Sequence, residues 1–378
     1  MSGIYIHIPF CRQKCNYCNF YSLASTKYVS QVSQAIVSEL AQRSSYLEGE
    51  KVETIYFGGG TPSLPDAAEI EGIINAVFKN YNTDSGVEIT LEANPDDLTT
   101  TKLKAFSAAG VNRLSIGIQS FREEDLKYLS RTHTPAQVTR CITDAKQAGF
   151  ENLSIDLIYG IPTLTDEGWK ENLEKAFSFG IPHISAYSLT VEEKTPLDVL
   201  IRKGKISPVE ESPALFHYQL LVNWMQLHGY EHYEISNFCL PGQYSRHNSA
   251  YWQGKPYLGV GPSAHSFNGS SRCWNVSNLV KYIESVGTGK VESESELLGP
   301  VTQLNEYIMT SLRTMWGCDL VVVRDKFGAE VAENLLLDAL GFIEKQQMIY
   351  REGKLTLTPG GLLFADGIAS GLFSEEKG

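Results

Sequence analysis

The chain has 378 residues, 42% hydrophobic and 11% aromatic, which is enough apolar material for a sizeable core and too much for global disorder. Length alone suggests one large domain and a smaller one. The formal net charge of −12 excludes a dedicated nucleic-acid coat, which needs clustered Lys and Arg, and a polybasic membrane anchor.

The first residues, MSGIYIHIPF, read directly into a strand. No basic segment followed by an apolar stretch precedes it, and no apolar run approaches ~18 residues, so the reading expects neither a secretory signal nor a membrane span. Seven cysteines, an odd number without an export signal, argue for reduced thiols in a cytoplasmic protein. Predicted strands follow at Ile4–Ile8, Val52–Phe57, Val87–Glu92, Arg113–Gln119, Leu153–Tyr159 and Ile184–Leu189. Helical patterns lie between them near 27–47, 66–81, 99–109, 122–148 and 167–179. The first carries Tyr28, Val32, Ile36 and Leu40 as one apolar stripe. Regular strand–helix alternation predicts βα units around a parallel sheet, open or closed into a barrel.

The strand faces differ. Val87, Ile89 and Leu91 share one face, and Glu88, Thr90 and Glu92 the other. Leu114, Ile116 and Ile118 alternate with Ser115, Gly117 and Gln119, and Leu153, Ile155 and Leu157 with Ser154 and Asp156. Polar faces ending in Glu92, Gln119 and Asp156 point to a site inside a barrel, near the strand C-termini.

Beyond residue 190 the pattern loosens around Pro196, Pro208 and Pro213. A helix is expected at about 212–228, then an aromatic, glycine-rich segment through His265. From about 297 the chain reads as helical, with a hairpin at Met348–Leu357 turning at Glu352-Gly353 and a last helix after Pro359. Helix plus hairpin suggests a winged helix. Acidic side chains outnumber basic ones across 300–378, which favours a lid or partner-docking module over DNA binding. The expected division is 1–230 for the partial barrel, 231–296 for a segment packed on the core, and 297–378 for the C-terminal unit.

Cys11, Cys15 and Cys18 form CxxxCxxC on the loop after the first strand. Zinc ordinarily takes four ligands, usually from two separated pairs, and electron-transfer clusters also take four cysteines. The next cysteine is Cys141. Three thiolates without a fourth suit a [4Fe–4S] cluster with one iron left open.

This motif, with Gly58-Gly59-Gly60-Thr61-Pro62 after the second strand, resembles the radical S-adenosylmethionine superfamily. The resemblance implies an α/β fold, a partial (β/α)6 TIM-type barrel with a C-terminal helical, winged-helix-like domain. It also implies that the open iron holds the methionine end of S-adenosylmethionine, and that the reduced cluster cleaves the sulfonium to methionine and a 5′-deoxyadenosyl radical. Leu91–Pro95, Ser115–Phe121, Arg131 and Ser154–Pro162 narrow the likeness to the branch that holds oxygen-independent coproporphyrinogen III dehydrogenases and HemW-type haem chaperones. Within that branch the matching positions imply that Tyr5 lies beside the cluster and Tyr17 near the adenine. Gly59, Gly60 and Thr61 line the methionine end, and Glu92, Gln119, Arg131 and Asp156 hold polar groups of the cofactor.

Dehydrogenases of the branch carry CxxxCxxCxC and a substantial N-terminal extension. Here Asn19-Phe20 follows Cys18, and the first ligand is already residue 11. His247-Asn248-Ser249-Ala250-Tyr251-Trp252 fits HNxxYW, which the resemblance links to haem: Tyr251 and Trp252 as aromatic cover, His247 as a candidate axial ligand, and Arg246 as a propionate partner. Gly259–Ser266 resembles a further family segment and makes His265 a second candidate. Cys239 and Cys273 read as buried small side chains. The resulting expectation is a haem chaperone without coproporphyrinogen dehydrogenase activity, the dehydrogenase being the alternative. Its cofactors are a [4Fe–4S] cluster, S-adenosylmethionine and haem. Its expected recipients are respiratory-chain haem proteins, through contact with a membrane protein; a homodimer is also expected, and no nucleic acid partner.

Overall fold

A computed structural model of the chain describes residues 2–375. Strands β1 (Ser2–Ile8), β2 (Val52–Gly59), β3 (Thr83–Ala93), β4 (Arg113–Gln119), β5 (Asn152–Tyr159) and β6 (His183–Ser188) pair in parallel in chain order. Helices cross over between them, the βα arrangement expected from the alternation. The outer strand faces and the covering helices share one core. The stripe Val32, Ile36 and Leu40 is buried in it, as are Ile70, Ile73 and Ile74 of the next helix. Asp66 and Glu69 form a capping box that starts that helix, satisfying backbone N–H groups that would otherwise lack partners.

The segment 231–296 extends both edges of this sheet. Strands β7 (Glu231–Glu234) and β8 (Asn237–Cys239) add antiparallel beyond β6. The chain then crosses to the opposite edge, where β9 (Tyr257–Val260) lies parallel to β1. Strands β10 (His265–Phe267), β11 (Ser271–Asn275) and β12 (Ser293–Leu297) continue antiparallel from it. The result is one twelve-stranded sheet. Two glycines of the Gly259–Ser266 segment make this turn possible. A Cβ on Gly259 would stand 2.0 Å from the His265 carbonyl oxygen, and Gly261, at φ +101°, would place one 2.5 Å from the His7 carbonyl oxygen. The helix Arg246–Trp252 makes the crossing and packs on β1 and β2.

A second apolar cluster, Leu304 to Leu372, holds the C-terminal helices. Its small sheet consists of β13 (Cys318–Asp319), β14 (Met348–Arg351) and β15 (Lys354–Leu357). The expected hairpin turn is present: Glu352 and Gly353 both have positive φ, the geometry of a tight two-residue turn. Helices plus hairpin give the winged-helix-like outline. Among the described residues no helix is long and apolar enough to cross a membrane.

One helix differs from expectation. The stretch 122–148 is two helices, Glu123–Tyr128 and Pro135–Gln147. Thr134 caps the second, with Gln137 completing a capping box and Pro135 in the first turn, where proline costs no hydrogen bond. The break turns Arg131 and His133 inward.

Candidate functional site at the barrel mouth

The loop after β1 is tied down along its length. The Cys11 amide donates to the Leu23 carbonyl at 3.0 Å. Arg12 pairs with Asp97 at 2.7 Å, and Asn16 Nδ2 donates to the Tyr128 carbonyl at 2.7 Å. The thiols of Cys11, Cys15 and Cys18 are free and partly exposed. All three line one cavity of about 420 Å³ at the C-terminal ends of the strands. Among the described residues, no three His, Cys, Asp or Glu side chains surround a single ion position. A cube gives each thiolate its own iron, so its ligands need not converge on one point, and the donor set fits a cluster held by three thiolates better than a mononuclear site.

The glycines of GGGTP form the adjoining wall. The Gly60 and Thr61 amides donate to the Ile8 and Phe10 carbonyls at 2.8 and 2.7 Å. A Cβ on Gly60 would stand 2.6 Å from the Phe10 oxygen. One on Gly59, at φ +107°, would meet the His7 ring at 2.6 Å. Only glycine lets this backbone lie against β1 and face the cavity bare, as close ligand approach requires. Tyr5 stands behind it. Its hydroxyl is 3.2 Å from His7 Nδ1, and His7 Nε2 donates to the Tyr21 carbonyl at 2.9 Å.

The strand polar faces do point inward. Glu92, Ser115, Gly117, Gln119 and Asp156 line the same cavity. Tyr56 donates to Glu92 Oε1 at 2.8 Å. Burial raises the Glu92 carboxyl to about 7 against that bond, and neighbouring Asp156 adds to the rise. Burial likewise raises Asp156, opposed by hydrogen bonds from Ser185 and Ser115 and by the charge of Arg113. Two partly desolvated carboxylates facing one cavity suit a ligand that brings hydroxyl donors. Arg131 enters between them and the thiols. It donates to Cys15 Sγ at 3.3 Å, Asn94 Oδ1 at 2.7 Å and the Gly117 carbonyl at 2.7 Å. Its Nε is buried without a partner. Burial opposes its charge, but Tyr17 and Cys15 outweigh burial and hold the guanidinium cationic. Gln119 sits at φ +64° at the end of β4, a conformation rare outside glycine and frequent where function demands it.

The structure thus gathers Tyr17, Gly59, Gly60, Thr61, Glu92, Gln119, Arg131 and Asp156 with the three cysteines around one cavity. Tyr5 is one layer behind. Arg113 and Tyr56 escaped the sequence reading. Arg113 is a fully buried cation within an apolar strand, and a charge in that setting is itself a signal.

The HNxxYW helix lies at the other end of the barrel, on the N-terminal ends of β1 and β2. His247 is buried. Its Nδ1 is 2.7 Å from Thr54 Oγ1 and its Nε2 is 3.0 Å from the Tyr251 hydroxyl. The ring stacks on Tyr56 with centroids 4.9 Å apart. Both nitrogens are engaged, so iron ligation by His247 would require breaking one of these contacts. The Arg246 and His247 amides point at the Glu88 carboxylate. Arg246 itself donates to the Gly86 carbonyl at 2.8 Å and faces Glu53. Asn248 occupies the first turn, its amide directed at the Ser245 hydroxyl. Tyr251 and Trp252 instead line an outer cavity. His265 is exposed and stacks on Trp274. Cys239 is buried, whereas Cys273 is only partly so and accepts from Arg43 at 3.1 Å.

Residues 5–176 match the model of the Radical SAM superfamily. The chain is 34% identical to the heme chaperone HemW of Lactococcus lactis over 93% of its own length and 91% of that protein's. It is 32% identical to the heme chaperone HemW of Bacillus subtilis over 99% and 100%. Among solved structures, coproporphyrinogen III oxidase (HemN) of Escherichia coli, a radical SAM enzyme, superposes with a TM-score of 0.84 at 21% identity, covering 99% of this chain and 90% of that one.

Proposed function

The chain belongs to the haem chaperone HemW family of the radical SAM superfamily, and we propose on that footing that it binds haem and delivers it to respiratory-chain haem proteins. The observation that carries the reading is the identity to relatives named as haem chaperones across more than nine-tenths of both chains. Its cofactors are a [4Fe–4S] cluster and S-adenosylmethionine. Cys11, Cys15 and Cys18 would hold the cluster. Gly59, Gly60 and Thr61 would receive the methionine end of the cofactor, with Tyr5 behind them. Tyr17 would pack near the adenine, and Glu92, Gln119, Arg131 and Asp156 would take its polar groups. When bound, the cluster supplies one-electron chemistry to the cofactor. The protein's own part is to exclude water, keep Arg131 on Cys15, and present acceptors at Glu92 and Asp156.

Within the same proposal, 297–378 is a separate unit, 231–296 carries the haem-linked helix, and Tyr251 and Trp252 face haem while His247 and Asn248 fix that helix. Contact with membrane-bound recipients, a homodimer and a cytoplasmic location complete it. Phe20, 64% exposed at the rim of the cavity, favours carriage over decarboxylation, because a phenyl ring offers none of the chemistry of a thiol. The test is anaerobic reconstitution followed by haem titration, with a parallel assay for porphyrinogen conversion. A Soret band that moves to an apo-acceptor supports the chaperone. Protoporphyrinogen accumulating from coproporphyrinogen would overturn it in favour of the dehydrogenase.

A further inference from the structure

The start of the chain differs in charge from the rest. Residues 1–38 contain Arg12, Lys14 and Lys27 and no Asp or Glu, in a chain with 44 acidic side chains and a net charge of −12. The loop that carries the three cysteines lies in this stretch and is open to solvent. Gln13, Lys14, Asn19 and Phe20 are exposed, and all four line the cavity that the thiols share. They form its rim on the side of the cysteines.

The cations of this rim are presented outward. Arg12 pairs with Asp97, but the Asp97 side chain is fully buried and that of Arg12 is 57% exposed, so an approaching molecule meets the positive end of the pair. Lys14 has no ion pair among the described residues. Its ammonium donates to the Phe20 carbonyl at 3.2 Å, a bond that leaves the charge unneutralised and sets it beside the exposed phenyl residue. Among the described residues lining the cavity, Glu192 is the one exposed carboxylate. A basic surface on an acidic protein is a local inversion of field that attracts an anionic partner. An exposed aromatic ring between cations supplies the anchor, and the cations the steering, of a protein contact.

We infer that this loop is the docking face for an acidic one-electron donor protein, with Phe20 as its apolar contact and Arg12 and Lys14 as its charge partners. The inference rests on the reading of Cys11, Cys15 and Cys18 as cluster ligands and adds the partner that serves them. Each cleavage of S-adenosylmethionine draws one electron from the cluster, so a donor must come close to the thiols and leave again. One electron leaves the donor and one enters the oxidised cluster, and no atom is exchanged. Contact at 12–20 brings the donor within a few residues of all three cysteines. A small, charge-steered face suits such a brief encounter.

The test uses the full chain, anaerobically reconstituted, with fully reduced flavodoxin, an acidic FMN protein, as the probe. Stopped-flow absorbance follows bleaching of the cluster and appearance of the flavin semiquinone. The second-order rate constant should fall steeply as salt is raised. Lys14→Glu should lower it about tenfold at low salt, and Phe20→Ala should lower it as well. Lys79→Glu makes the same charge change in the last turn of the helix Ala67–Asn80, which leads into the N-terminal end of β3, opposite the mouth, and should leave the rate near wild type. Reduced methyl viologen, a small cation, should reduce the Lys14→Glu protein no more slowly than wild type. A Lys14→Glu protein that flavodoxin reduces as fast as wild type, or a wild-type rate indifferent to salt, would overturn the inference and leave the cluster reading standing. Slowing by both reductants would also overturn it, because the cluster itself would then be altered. Loss of haem delivery to an apo-acceptor with flavodoxin reduction unchanged would assign the face to a recipient instead. Wild-type protein that takes up no iron would overturn the cluster reading, and the inference with it.

Discussion

Tyr56 donates its hydroxyl to Glu92 at 2.8 Å while its ring stacks on His247, so a single side chain links a carboxylate lining the barrel-mouth cavity to the plug at the far end of the barrel. Glu92 is held at about 7 by burial. A ligand whose hydroxyls donate to it stabilises the carboxylate and releases a proton on binding. S-adenosylmethionine affinity should therefore rise as pH increases toward 7 and level off above it, by up to about tenfold per unit below the midpoint. Glu92→Gln should bind weakly at every pH and flatten the profile. Calorimetric titration between pH 6 and 8 measures this, and a flat wild-type profile would remove Glu92 from the binding set.

Arg131 joins three otherwise separate parts: the cysteine loop at Cys15, the end of β3 at Asn94, and β4 at Gly117. Arg131→Ala removes the donor to Asn94 Oδ1 and to the Gly117 carbonyl, at about 1–3 kcal/mol for an acceptor left unpaired away from water. The midpoint of denaturant unfolding should fall accordingly. The reconstituted variant should also lose iron faster under chelator than wild type, because Cys15 no longer has its cation. Unchanged iron retention with lowered stability would make Arg131 a structural tie only.

Much of this site was legible in the sequence because its signals are local. The period-two faces of β3, β4 and β5 identify Glu92, Gln119 and Asp156, and CxxxCxxC and GGGTP sit directly after their strands. The helix break at 129–134 was signalled by Thr134-Pro135, a cap followed by a proline suited to a first turn, and was obscured by the apolar pattern on either side. The position of His247 was not legible. Its partners Thr54 and Tyr56 lie more than 190 residues away in sequence, and no local periodicity encodes such contacts. The same holds for β9, whose short glycine-containing run, Tyr257–Val260, becomes a strand only because β1 offers it an edge.

Gly60→Ala tests the glycine cradle. The added Cβ would stand 2.6 Å from the Phe10 oxygen and 2.8 Å from the Phe10 amide nitrogen, both backbone atoms that cannot swing away. The loop between β1 and the cysteines must shift, at about 1–3 kcal/mol for overpacking of this kind. S-adenosylmethionine binding should be lost and the cluster's paramagnetic spectrum altered. Gly72→Ala, at a position where a Cβ meets nothing within 4 Å, should leave both unchanged.

The buried histidines make the fold sensitive to acid. Burial lowers His247 to about 3 and His133 and His232 to about 4. Each folded-state value lies below the ~6.5 of an unfolded chain, so the unfolded state binds more protons as pH falls. Their contribution to stability is complete above about 6.5 and is lost progressively below it, at up to about 1.4 kcal/mol per pH unit for each histidine. Glu92 and Glu234, both raised to about 7 by burial, act in the opposite sense. The folded state keeps their protons longer, so stability falls as pH rises from about 4.5 to 7. Burial also lowers His7, His183, His217 and His265 and raises Asp125 and Asp156, so the lowered histidines outnumber the raised carboxylates and stability should fall on acidification from pH 6.5 to 5. His247→Gln should reduce that slope by about one histidine's share, while lowering stability at pH 7.5 because the stack on Tyr56 is lost. Urea unfolding of both proteins across this range provides the measurement. Equal slopes would mean that His247 takes up its proton without unfolding, and therefore that the plug at the base of the barrel opens in the folded protein.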